Sequence, residues 1–118
     1  MKIKVAKKED NLVIIPEQFK NEANPPKFIF RSPNSADVLQ FIWGGSAIDE
    51  AIYGCFIAFE NKIELSDEND KTIEYNTYEE FIKSGVSPEI ALIHNEIRNT
   101  FALKLNELIS EAKKTEKK

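Results

Sequence analysis

Short alternating or β-branched apolar stretches occupy the first thirty-one residues, and apolar positions at steps of three and four dominate three later segments. KIKVA alternates, KEDN is rich in turn formers, and LVII is a β-branched run closed by Pro16. This pattern predicts a hairpin over residues 2–15. PEQFKNEANPP, residues 16–26, reads as a loop with Phe19 as its apolar anchor. Lys27 to Arg31 alternates again, with Phe28 and Phe30 on one face and Ile29 and Arg31 on the other, as a short strand should.

The helical period starts next. Serine suits an N-cap and proline the first helical position, so Ser32-Pro33 opens a helix, or Asn34-Ser35 caps a slightly later start. Val38, Leu39, Ile42 and Trp43 form its apolar face, and Gly44-Gly45 ends it. Ser46 caps a second helix, with Asp49 three residues on. Ile48, Ala51, Ile52, Cys55, Phe56 and Phe59 extend that helix at steps of three and four. IELSDENDKTIEY, residues 63–75, reads as two short strands or a long loop around a polar tip. Thr77 and Glu80 make a capping box for a short helix through Phe81 and Ile82, stopped by Gly85. Ser87-Pro88 opens the last helix, in which Ile90, Ile93, Ile97, Phe101, Leu105, Leu108 and Ala112 form one stripe. Such a stripe covers about 22 residues and rises about 33 Å. That is more than a small domain covers, so its far end is expected to pack on another chain.

These elements predict an α+β fold: a small N-terminal antiparallel β-sheet packed with three or four α-helices, the C-terminal one long. Residues 1–110 are expected to form a single globular domain, and 111–118 a charged, disordered tail.

Composition narrows the partners. The chain has 118 residues and a net charge of −4, without the basic face that nucleic-acid binding needs. Between Glu60 and Glu80 stand eight acids (Glu60, Glu64, Asp67, Glu68, Asp70, Glu74, Glu79, Glu80) against Lys62 and Lys71, whereas the last six residues are KKTEKK. An acidic middle and a basic end suit a solvated surface, and also self-association or a charged partner. Cys55 is the one cysteine, so no intrachain disulfide forms. No apolar run has signal-peptide or membrane-span length. The expected compartment is a reducing cytoplasm.

Candidate chemistry is sparse. Asp67, Asn69 and their acidic neighbours suggest a calcium loop, but Lys71 and Thr72 stand where a ligand and the turn glycine belong; a charged hairpin tip is the better reading. His94, the one histidine, has no second metal ligand near it in sequence and no nucleophile elbow to serve, and is expected partly buried or on the helix surface. Cys55 reads as a small hydrophobe. Gly44-Gly45-Ser46 lacks the lysine of a phosphate loop. No catalytic residue, metal or cofactor is therefore expected. Phe41 and Trp43 are candidate anchors for a partner, as are Ile97, Phe101, Leu105 and Leu108 on the long helix. Arg31 sits just before a helix N-terminus, where the macrodipole disfavours a cation. It is expected to turn away and pair with a carboxylate, Asp37 or one in the 60–80 segment, as a joint between strand and helix.

Two stretches carry a resemblance. NLVIIPEQFKNEANPPKFIFRSPNSADVLQF joins a proline-ended strand, a loop and an aromatic-Arg-Ser-Pro entry to a helix containing Asp37. AIYGCFIAFENKIELSDENDKTIEYNTYEEF runs from a helix with Cys55 through Phe59-Glu60-Asn61 and a polar tip to Ile73-Glu74-Tyr75 and a short capped helix. Followed by a long C-terminal helix, this order resembles the tail assembly chaperones of long-tailed bacteriophages and prophages, over roughly residues 12–110. Phe59 stands where many relatives have tryptophan, and Asn69-Asp70-Lys71 where they have Asp-Gly. The resemblance implies a non-enzymatic protein of the bacterial cytoplasm. It would coat the tape measure protein, help tail-tube protein assemble around it, and leave before the virion is complete. The resemblance also implies a longer frameshifted form, for which Lys113-Lys114 and Lys117-Lys118 admit an A-rich slippery site. Two alternatives stand beside it: a structural tail or connector accessory protein that stays in the particle, and a small DNA-binding regulator. The regulator would use the pair of helices around Gly85, although PEIALIHNE is too acidic and apolar to face phosphates.

Overall fold

Phe28 and Phe30 are 1% and 0% exposed, and the rest of the molecule is arranged around them. The computed structural model describes residues 2–3, 11–43 and 48–116, with side chains at 41–43 and 111–116 outside the description. Among the described residues, five strands and four α-helices follow in the order β1 (Leu12–Ile14), β2 (Lys27–Phe30), α1 (Ser35–Trp43), α2 (Ile48–Cys55), β3 (Phe56–Glu60), β4 (Leu65–Ser66), β5 (Thr72–Ile73), α3 (Tyr78–Ile82) and α4 (Pro88–Glu116). The architecture is α+β. β1, β2 and β3 form an antiparallel sheet with β2 in the middle, and β4 pairs with β5 in a separate hairpin. No helix among the described residues is long and apolar enough to cross a membrane.

The sheet has one aromatic face. Leu12 pairs with Phe30 and Ile14 with Phe28, so β1 turns the same face inward as β2. The turn and most of the first arm of the expected hairpin over 2–15 lie outside the described residues. LVI is antiparallel to Lys27–Phe30, and a 3-10 turn at Glu17–Phe19 leads into the connection, with Phe19 packed on the core. Of the other arm of that hairpin, residues 4–10 lie outside the description, and Ile3 is 87% exposed.

The largest departure from the sequence reading is at Phe56–Phe59. The expected helix stops at Cys55, and FIAFE continues as β3. Phe30 pairs with Phe56 and Ile29 with Ala58, which leaves Ile57 as an extra residue in a β-bulge. In a regular strand, positions 56 and 59 would face opposite sides. The bulge puts them on one side, with ring centroids 4.6 Å apart. A step of three between half-buried rings therefore reads as a helix but is satisfied by a bulged strand. Two β-favouring aromatics and an isoleucine, next to an unpaired β2 edge, decide the outcome.

Other starts follow the capping residues. The helix α1 begins at the later of the two expected sites. Asn34 Oδ1 accepts from the backbone N–H of Ala36 (3.0 Å) and Asp37 (3.2 Å), so Asn34 is the N-cap and Pro33 precedes the helix. On the expected apolar face of α1, Val38 is half-buried but Leu39 is 50% exposed. Gly44 to Ala47, including the expected glycine stop and Ser46 cap, lie outside the description. Thr77 caps α3 by accepting from Glu80 N at 3.1 Å, and Ser87 Oγ accepts from Ile90 N at 3.3 Å at the start of α4. At the β4–β5 tip, Asp67 Oδ1 accepts from Asn69 N (2.8 Å) and Lys71 N (3.0 Å). That carboxylate is occupied as a turn former. Asp70 takes φ 60°, a left-handed conformation that Asp tolerates.

The helix α4 spans 29 residues, about 44 Å, and crosses the open side of the aromatic face. Ile93 is 4% exposed, and Ile97, Phe101 and Leu105 are 0% exposed. From Ile93 to Leu105 the apolar stripe is therefore taken up by this chain's own core, while Leu108 is half-buried and the Ala112 side chain lies outside the description. The helix continues through Glu116, into the segment expected to be a disordered tail, because EAKKTE consists largely of good helix formers.

The core makes a specific prediction. Phe30→Ala should lower unfolding stability by about 3–5 kcal/mol, whereas Leu39→Ala should change it by less than about 0.5 kcal/mol. Urea denaturation followed by circular dichroism measures both.

Candidate functional site

Two polar assemblies and one surface carry the features available for function. The first assembly answers the question of Arg31. Its backbone N–H donates to Cys55 O at 2.8 Å, continuing the β2–β3 ladder past the strand end. Its guanidinium donates through Nη1 to Asp37 Oδ2 at 2.9 Å and through Nη2 to Asp37 Oδ1 at 3.4 Å. Asp37 Oδ2 also accepts from Asn34 N at 2.8 Å and from Cys55 Sγ at 3.7 Å. Asn34 and Asp37 thus form a reciprocal capping box, and the same carboxylate holds the arginine. The Asp37 side chain is 7% exposed and that of Arg31 29%. Hydrogen bonding to Asp37 raises the pKa of Arg31. Burial pushes the Cys55 thiol up to about 11, and the Asp37 charge adds to the shift. Cys55 is 0% exposed, which makes it an unreactive thiol.

The second assembly connects three helices. Tyr78 Oη of α3 lies 2.7 Å from His94 Nδ1 of α4, and His94 Nε2 lies 2.8 Å from Asp49 Oδ1 of α2. Arg98 Nε, one turn after His94, reaches the same Asp49 oxygen at 3.2 Å. A tyrosine, a histidine and a carboxylate in series resemble a base-activated nucleophile. Here Tyr78 is 0% exposed, and burial drives its pKa far upward. A hydroxyl that meets no solvent and keeps its proton cannot attack a substrate. The series acts as a clamp that fixes α2 and α3 against α4. Sequence reading places His94 partly buried or on the helix surface, and the first of these is found, but it does not identify Asp49 as the partner. His94 and Arg98 share one helix face at a spacing of four, but the carboxylate they bind stands 45 positions away.

The surface is the outer side of α4. Of the expected partner-binding residues on this helix, Ile97, Phe101 and Leu105 are buried in the core and Leu108 is half-buried; their step of three and four marks the inward face. Phe41 and Trp43 lie outside the residues whose side chains are described. The exposed face is a different stripe: Leu92, Asn95, Asn99, Leu103, Asn106 and Ser110, again at steps of three and four. Leu92 is 65% and Leu103 67% exposed. No residue of this stripe is charged, although Glu89, Glu96, Arg98, Lys104 and Glu107 stand on the same helix. Lack of charge is the sequence signal that identifies the stripe, and a search for apolar periodicity alone passes over it. At its N-terminal end, Pro16, Glu17 and Gln18 wall an open groove of about 430 Å3 against Leu92, Asn95, Glu96 and Asn99. Both Glu96 carboxylate oxygens accept from Glu17 N at 3.2 Å, which fixes that wall to the helix.

Arg31→Ala should destabilise the protein by about 2 kcal/mol, less than a fully buried pair because water still reaches the joint; adding Asp37→Asn should recover part of the loss in urea denaturation. Alkaline stability gives a second test. Burial raises Cys55 from 9.0 to about 11 and Tyr75 from 10.0 to about 12. The unfolded chain therefore releases these protons first, and their contribution, complete below pH 9, is lost as pH rises through 9–12. Thermal melts across that range should show the decline, and Tyr75→Phe should reduce its upper part, the remainder coming from Tyr78, which burial also raises.

No family model, curated protein or solved structure matches this chain.

Proposed function

We propose that this protein is a non-enzymatic chaperone of phage tail assembly in the bacterial cytoplasm, holding the helical tape measure protein while tail-tube protein assembles around it. The observation that carries this reading is the outer face of α4: a charge-free stripe with Leu92 and Leu103 exposed by about two thirds. A surface of this kind suits an amphipathic helix laid alongside it, with the leucines as anchors and the asparagines as adaptable hydrogen-bonding positions. Such a face gives a reversible grip, as expected of a protein that must later let go. The polar assemblies around Asp37 and His94 support the same reading, because each holds helices in place. The choice of the tape measure protein as partner follows from the resemblance of the two sequence stretches above to tail assembly chaperones.

The test is a tagged pull-down from a host producing the phage or prophage, read by mass spectrometry, with wild type beside Leu92→Glu/Leu103→Glu. Wild type is expected to recover the tape measure protein, and the double variant to lose at least about tenfold of it, as removal of central anchors does. Recovery of tail-shell or connector proteins alone, or equal recovery by the variant, overturns the proposal.

A further inference from the structure

We infer that the helix laid along the outer face of α4 is basic along one border, and that α4 recognises it by that border. The inference rests on reading this face as helix-binding, but not on which phage protein supplies the helix. The charge-free stripe runs straight. From Leu92 to Ser110 is eighteen positions, or five full turns and about 27 Å. The stripe therefore keeps parallel to the α4 axis and suits a partner helix of similar length packed alongside.

The two borders of the stripe differ. Glu89, Glu96 and Glu107 stand about 60–80° to one side of its midline, and Ala91, Ala102 and Ile109 as far to the other. Glu89 is exposed. The Glu107 side chain is 65% exposed and meets Lys104 at 3.7 Å, a pairing worth little in water. Glu96 accepts from the backbone N–H of Glu17, a neutral donor that leaves the carboxylate its charge. Glu17 itself is paired with Lys20 and adds nothing to this border. Arg98, further round on the neutral side, reaches Asp49 of α2. Lysines or arginines of a partner helix therefore gain at the glutamate border, while at the other border the two alanines let the helices approach closely. An antiparallel second copy of this chain would lay glutamate border on glutamate border, and like charges set face to face are costly.

Two synthetic amphipathic peptides test this by fluorescence anisotropy with the full chain. Both carry leucines at steps of three, four and four. One has three lysines along one border, and the other has glutamates at the same positions. The lysine peptide should bind about tenfold more tightly at low salt, and the margin should shrink as salt is added. Glu89→Lys/Glu107→Lys should cancel or reverse the preference with an unchanged circular dichroism spectrum. Glu68→Lys/Asp70→Lys makes the same change of net charge at the β4–β5 tip and should leave the preference in place. Leu103→Glu should abolish binding of both peptides. Equal binding of the two, binding of neither at hundreds of micromolar, or a preference that follows the tip variant rather than the α4 variant overturns the inference. Tape measure protein captured through Leu92 and Leu103 without any peptide preference leaves the chaperone reading standing. A peptide preference without tape measure protein in the pull-down leaves this inference standing, so the two failures are told apart.

Discussion

The fold depends on two rings of one strand. Phe28 makes edge contacts with Phe59 of β3 and with Tyr78 and Phe81 of α3, at centroid distances of 5.4–5.7 Å. Phe30 does the same with Phe56 of β3, Tyr78 of α3 and Phe101 of α4, at 5.2–5.8 Å. Strand alternation points both rings the same way, so the sheet, the short helix and the long helix all converge on β2. Edge-on aromatic geometry adds directional preference to ordinary burial, and a three-stranded sheet is marginal without packing on its face. α4 supplies that packing, which is why its most regular apolar stripe faces inward.

Polar contacts set the angles that this apolar cluster leaves free. The carboxylate of Asp37 completes the N-terminal cap of α1 and holds Arg31 at the end of β2, so helix and strand are fixed at one point. Asp49 does the corresponding work on the other side, taking both His94 and Arg98 of α4. Tyr75 Oη donates to Ile63 O, and Lys62 Nζ donates to Tyr75 O, tying the segment on both sides of the β4–β5 hairpin to itself. Asp37, Asp49, His94 and Tyr75 are partly or wholly shielded from water, where an unmatched donor or acceptor is costly. Together they hold the body rigid behind the outer face of α4.

Local signals in the sequence were legible where one residue does one job. Thr77, Ser87 and Asn34 identify helix starts because a capping oxygen acts within three residues. Phe28 and Phe30 identify a buried strand face, and Arg31 its carboxylate partner six positions on. The failures share a cause: the deciding contact is distant or the pattern is ambiguous. Phe56 and Phe59 satisfy a helical period and a bulged strand equally, and only pairing with Phe30 and Ile29 decides between them. β1 pairs with β2 across the connection 15–26, a partnership that turn composition does not encode. His94 finds Asp49 through tertiary structure alone. On α4 the periodicity was right, but the face it marks belongs to the core, and the surface available to partners is recognised by what it lacks.

The bulge at Ile57 has one more consequence. Ile57 is the extra residue between Phe56 and Ala58 and is 48% exposed. Deleting it leaves the two rings two positions apart, which regular alternation already sets on one face. The bulge therefore contributes local bend and twist to β3, while the inward placement of the rings survives without it. Length at this point is a freedom of the strand: β3 can lose one exposed residue and keep its aromatic face.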